Sequence, residues 1–169
     1  NYFRQDNCLV LKRVVKSWCS SPYFSPRQVV FNQALEAHYR RCYNLSVTVL
    51  TLHMEGIITD FVRLSFKKPR FKAETALLNI NSYMDDMPFP SLNFSDWEIY
   101  SSVISEIQVA LTESFDFENP EAATNKSRHK IAHGHAIEEE TEVSSLKRFL
   151  YLNELHRLLT AIDEKMNAN

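Results

Sequence analysis

Two glycines in 169 residues, Gly56 and Gly134, constrain this chain more than any other feature. Tight β-turns need backbone at positive φ, which glycine supplies without steric cost, so an all-β chain would use many more. Walker loops and dinucleotide fingerprints are excluded as well, because neither can be built from isolated glycines. What such a chain can do readily is form helices.

Apolar spacing agrees. Residues 5–19 place Cys8, Leu9, Leu11, Val14, Val15 and Trp18 on one side of a short amphipathic helix, a strand being the alternative. A connector over 20–26 leads to Ser25 as a cap and Pro26 as a first helical residue. From there to about Phe66 the pattern is helical, with Leu45, Val49, Leu52, Ile57, Phe61 and Leu64 recurring. Asn44 is a candidate break, and Lys67-Lys68-Pro69 ends the run. A third helical stretch covers about 71–84. Met87-Pro88-Phe89-Pro90 cannot continue it, and Ser95-Asp96-Trp97-Glu98 reads as a capping box opening a helix to about Phe115. After a short segment closed by Gly134, acidic residues at 138–142 introduce a long last helix carrying Val143, Leu146, Phe149, Leu150, Leu155, Leu158, Leu159 and Ile162. The fold class expected is all-α, a bundle of five or six helices.

With 44% hydrophobic residues, this length is enough for a single core without disulfides. Cys8, Cys19 and Cys42 show no CxxC spacing and are odd in number, so they read as free thiols in a reducing cytoplasm. A formal net charge of −2 means that any nucleic-acid chemistry must be local. No apolar stretch reads as the ~20 residues that span a bilayer, and no signal peptide opens the chain, so neither membrane nor export is expected. A start at Asn1 without methionine reads as a domain cut from something longer.

The chemistry concentrates in Ser127-Arg128-His129-Lys130-Ile131-Ala132-His133-Gly134. Arginine offers a planar fork of donors to a phosphate, and histidine moves a proton near neutral pH. Five residues on a regular helix advance 500°, which leaves the two side chains about 140° apart. They converge if Arg128 sits at the start of the helix, or if a second subunit completes the site. His129 and His133, with His135 close by, could also form a zinc cluster, but no HExxH or partner carboxylate accompanies them, and no metal or other cofactor is expected. His38, His53 and His156 stand outside any motif and read as packed or surface histidines.

Arg128-His129-Lys130-Ile131-Ala132-His133 fits an arginine, a polar residue, three variable residues and a histidine. In an all-helical chain, before a long last helix, this resembles the RNase-type HEPN domains (higher eukaryotes and prokaryotes nucleotide-binding), in particular the Apea-like subset. His129 occupies the polar slot, and Gly134 resembles the "HG" ending of that subset. Leu52-His53-Met54-Glu55-Gly56-Ile57-Ile58-Thr59-Asp60 resembles a mid-bundle helix of the same type. The resemblance spans roughly residues 27–166, so 26–169 read as the HEPN-like bundle and 1–25 as an N-terminal helical appendage or linker.

The resemblance implies a metal-independent endoribonuclease, with RNA as substrate and a two-fold homodimer whose two motifs line one cleft. Arg128 would clamp the phosphate and His133 would transfer the proton. His129 and Glu55 would support them, Glu55 by pairing with the arginine, and Lys126 and Lys130 would add phosphate contacts. Toxin or phage-defence roles are common in the family, so an antitoxin or sensor domain is an expected partner, with the cytoplasm as location. His135 stands where antitoxin-controlled members often carry a tyrosine, so silencing by adenylylation is not expected. The alternative is a non-catalytic HEPN-like module that binds a nucleotide or a protein.

Overall fold

The computed structural model describes residues 9–67, 75, 77, 78, 80, 82, 94–113, 128–132 and 140–168. Among them are six helices and no strand: α1 (Leu9–Ser17), α2 (Gln28–Tyr39), α3 (Tyr43–Ser65), α4 (Phe94–Thr112), α5 (Arg128–Ala132) and α6 (Glu142–Ala168). Single 3₁₀ turns at Trp18–Ser20 and Ser25–Arg27 link α1 to α2. The chain is an all-α bundle. Residues 75, 77, 78, 80 and 82 are helical too, and Leu77 and Ile80 of that stretch are buried.

α3 is the centre of the bundle, packing on α2 and α6, while α4 lies against α6. Its buried positions are Ser46, Val47, Leu50, Thr51, Met54, Ile57, Ile58, Phe61 and Val62, a three–four repeat along one stripe. That stripe is rotated from the one read in the sequence, because Leu45, Leu52 and Leu64 are exposed. On α6 the stripe runs through Phe149, Leu152, Leu155, Leu158, Leu159 and Ile162, whereas Val143 and Leu150 lie outside. By length and composition alone α3, at 23 residues, could cross a bilayer, which corrects the sequence reading; half of its apolar window is buried in the bundle.

Residues 9–25, set apart in the sequence, share this core: Leu11, Val15, Trp18, Tyr23 and Phe24 belong to the same buried cluster as α2, α3 and α6. Trp18 is fully buried, with its ring centroid 5.0 Å from Phe31, 5.7 Å from Phe24 and 6.3 Å from Phe149. The Phe31 ring stands edge-on, Phe24 tilted and Phe149 stacked, and aromatic pairs of this kind add to what area burial alone gives.

Helix boundaries differ from expectation for local reasons. Ser25 and Pro26 sit inside the 3₁₀ turn ahead of α2, and Arg27 takes the cap position without a side-chain cap bond, so the α-helix begins at Gln28. The break between α2 and α3 falls at 40–42 rather than Asn44. Arg41 takes the left-handed conformation (φ 60°), Cys42 N–H bonds Ala37 C=O and Arg41 N–H bonds His38 C=O. This is a Schellman stop with arginine where glycine is usual. Lys67, at φ 51°, occupies the equivalent place after α3. α4 already includes Phe94, so Ser95 lies inside the helix rather than capping it. α6 is capped by Thr141, whose Oγ1 accepts from Ser144 N–H while Ser144 Oγ accepts from Thr141 N–H.

Candidate functional site

Five residues are too few to hold a helix alone in water, since nucleation is costly and few bonds repay it. α5 is therefore held by packing: Lys130 is 4% and Ile131 9% exposed, and the helix lies against both α3 and α4. On a 100° wheel positions 130 and 131 share the inward half, and Ala132, on the other, is exposed. Arg128 is the first residue of α5, and His133 follows Ala132 in sequence. The side chains of Arg128 and His129, together with Lys126, His133 and Gly134, lie outside the described residues. Glu55 is half-buried on α3, one of the two helices that carry α5.

The patch around Glu55 has a second role that the sequence did not suggest. Arg27, on the turn before α2, reaches across to α3. Its Nη1 donates to Tyr23 C=O at 2.7 Å and its Nη2 to Asp60 Oδ2 at 2.7 Å. The guanidinium lies directly over Gly56, where a Cβ would stand 2.5 Å from Nη2. Asp60 also receives Arg63 Nη2 at 3.2 Å. Gly56 is thus the floor of an arginine site rather than a turn.

Two further polar residues, His38 and Arg148, are buried in the bundle. His38 is buried, with Nδ1 2.9 Å from Ser145 Oγ, and Ser145 Oγ donates to Ser46 Oγ at 2.9 Å. With Ser145 donating to Ser46, the tautomer that completes the chain is the one in which His38 Nδ1–H donates to Ser145 Oγ. Burial holds the imidazole below its ordinary 6.5, with Glu142 pulling weakly the other way. Arg148 is only 5% exposed, its Nε has no hydrogen-bond partner among the described residues, and its guanidinium sits 6.0 Å from the Tyr151 ring centroid. Burial lowers its pKa against the opposing fields of Glu140, Tyr151 and Glu106. Both residues fall on apolar stripes, His38 four after Ala34 and Arg148 four before Leu152, and that spacing was the signal available in the sequence.

His53 and His156 are half-buried, and burial lowers both, with Arg27 adding to the effect at His53. Their rings stand edge-on to Phe31 and Phe24, so both are packed histidines. Among the described residues, no three histidine, cysteine, aspartate or glutamate side chains come together as a metal site would require; His133 and His135 are not among them. Cys19 and Cys42 are free and exposed.

No family model, curated protein or solved structure matches this chain.

Proposed function

We infer that the chain is a metal-independent endoribonuclease of HEPN type, acting as a two-fold homodimer in a toxin or phage-defence role. The observation that carries the reading is the arrangement of the motif itself. Arg128 heads a five-residue helix docked on α3 and α4 through Lys130 and Ile131, and His133 follows its last residue. A start of helix at Arg128 meets one of the two conditions under which residues five apart can serve one phosphate. Lys130, buried in this arrangement, docks the helix, and the phosphate contacts of this reading rest on Arg128 and Lys126.

In the reaction, the ribose 2′-oxygen attacks the adjacent phosphorus as the P–O5′ bond breaks. A histidine takes the 2′-hydroxyl proton and a second acid returns a proton to the leaving 5′-oxygen. The products are a 2′,3′-cyclic phosphate and a 5′-hydroxyl. Arg128 stabilises the negative charge of the phosphorane. One His133 per chain supplies one of the two proton-transfer groups, and the partner protomer's motif supplies the other.

The deciding experiment is RNA cleavage in excess EDTA by the intact chain, Arg128→Ala and His133→Ala. Cleavage that yields cyclic phosphate ends, persists in chelator and disappears in both variants is expected. Retained cleavage in His133→Ala sinks the reading. RNA or nucleotide binding without cleavage by the intact chain replaces it with the non-catalytic binding module.

A further inference from the structure

Helices α1 and α2 leave between them a groove of 450 Å³, within the range of small-ligand sites. Its α1 wall carries Lys12 and Lys16, exposed and one helical turn apart, so both ammonium groups serve the same edge. Lys12 Nζ lies 5.3 Å from the centroid of the Tyr39 ring, a cation–π contact that keeps one charge at the groove's end.

The α2 wall is different in kind. Gln28 Oε1 accepts from the Cys19 thiol at 2.8 Å, and its Nε2 donates to Asn32 Oδ1 at 3.2 Å and to Val15 C=O at 3.5 Å, a short ladder of amides whose second oxygen lone pairs and Asn32 Nδ2 stay available to a base edge. Leu35 and Tyr39 supply the apolar part. Glu36, the one carboxylate of the lining, is held by Arg40 Nε at 2.7 Å, which offsets its repulsion of an anion.

Two cations on one wall, neutral amides on the other and the half-buried Tyr39 ring beside Leu35 describe a ligand with three matching parts: a phosphate, a base edge rich in donors and acceptors, and a ring. An acidic peptide would meet the lysines with carboxylates and the amides with its backbone, but its acidic side chains bring no ring to Tyr39.

We propose that the α1–α2 groove is a nucleotide site, with the phosphate on Lys12 and Lys16 and the base between the amides of Gln28 and Asn32 and the surface of Leu35 and Tyr39. The nucleotide is a unit of the RNA strand delivered to Arg128 and His133. This last assignment rests on the nuclease reading above; the groove's chemistry does not.

The test is fluorescence anisotropy with a short fluorescein-labelled 2′-O-methyl RNA, whose blocked 2′-oxygen prevents cleavage. The intact chain is compared with Lys12→Glu/Lys16→Glu, two exposed positions whose fold is checked by circular dichroism. Binding is expected to weaken at least tenfold in the double variant, and the dependence of log K on log salt to shallow by about 1.4 for two lost phosphate contacts. Unchanged affinity, or no binding by the intact chain, overturns the groove. Uridine monophosphate binding as tightly as the oligonucleotide makes free nucleotide the occupant and overturns the strand assignment. Oligoglutamate binding as tightly as the RNA assigns the groove to an acidic protein instead. Cleavage in EDTA, measured on the same proteins, separates the two readings. A double variant that cuts but binds as before removes the groove alone, and groove-dependent binding by an intact chain that never cuts removes the nuclease alone.

Discussion

A single hydrogen atom at position 56 decides where Arg27 sits. Any Cβ there meets the guanidinium at 2.5 Å, and that guanidinium is tied on both sides, to Asp60 and to Tyr23 C=O. Two effects oppose each other in Gly56→Ala. Alanine gains about 0.8–1 kcal/mol of helix propensity, while displacing Arg27 loses hydrogen bonds to a charged group, each contributing about 1.5–3 kcal/mol. The loss is larger, so Gly56→Ala is expected to destabilise the chain by about 1 kcal/mol in urea unfolding. In an Arg27→Ala background the obstacle is gone, and the same substitution is expected to stabilise. Equal effects in the two backgrounds would refute the proposed contact. The sequence marked Gly56 but not its partner, because Arg27 is 29 residues away and the spacing carries no trace of a contact across helices.

Scarce glycine also shapes the elements. α2 and α3 both end in positive-φ residues, Arg41 and Lys67, where a side chain costs roughly 1–2 kcal/mol. Arg41→Gly keeps the Schellman bonds of Cys42 and Arg41 and removes that strain, against a backbone entropy loss of about 0.4–1 kcal/mol. Thermal unfolding is expected to show a gain of about 0.5 kcal/mol, and a loss would mean that Arg41 makes a contact outweighing its strain. α5 depends on packing, with Lys130 and Ile131 buried where it lies against α3 and α4. Ile131→Ala is expected to cost about 2 kcal/mol and to reduce RNA cleavage as it loosens the helix headed by Arg128; full cleavage in that variant would show that docking does not position the motif. What the sequence made legible follows the same division. Helix existence came through for α1 to α4 and α6, because apolar periodicity is a property of each segment by itself. Which stripe of α3 faces inward did not, since Leu45, Leu52 and Leu64 match the period as well as Leu50 and Met54 do. The caps were misplaced because Arg41 and Thr141 carry no signature as strong as the proline and Ser95 that drew the boundaries. Of the motif, the spacing was visible and the docking of Lys130 and Ile131 was not.

At the scale of the whole bundle, two polar networks join distant parts of the chain, and each sets a limit of pH. Tyr23 hydroxyl donates to Asp163 Oδ2 at 2.5 Å, and Ser65 donates to Asp163 Oδ1 at 2.7 Å, binding the turn before α2 and the end of α3 to α6. Burial and then the Asp163 carboxylate push the phenol up to about 12. The fold keeps that proton while the unfolded chain releases it near 10, so this contribution is intact below pH 10 and is lost as pH rises toward 12. The acid limit comes from histidine. His38 joins α2 through Ser145 and Ser46 to α6 and α3, and burial lowers it, as it lowers His53 and His156. Unfolded, each binds a proton below 6.5, and folded each resists it, so stability is full above pH 6.5 and falls as pH drops through the lowered folded values. Urea midpoints measured from pH 8 to 5 are therefore expected to decline below 6.5. His38→Gln removes one titrating group while leaving an amide able to donate to Ser145, so its decline is expected to be shallower even though its midpoint at pH 8 is lower. A His38→Gln profile parallel to that of the intact chain would show that His38 is as easily protonated inside the bundle as outside, and that the buried serine–histidine network does not set the acid limit.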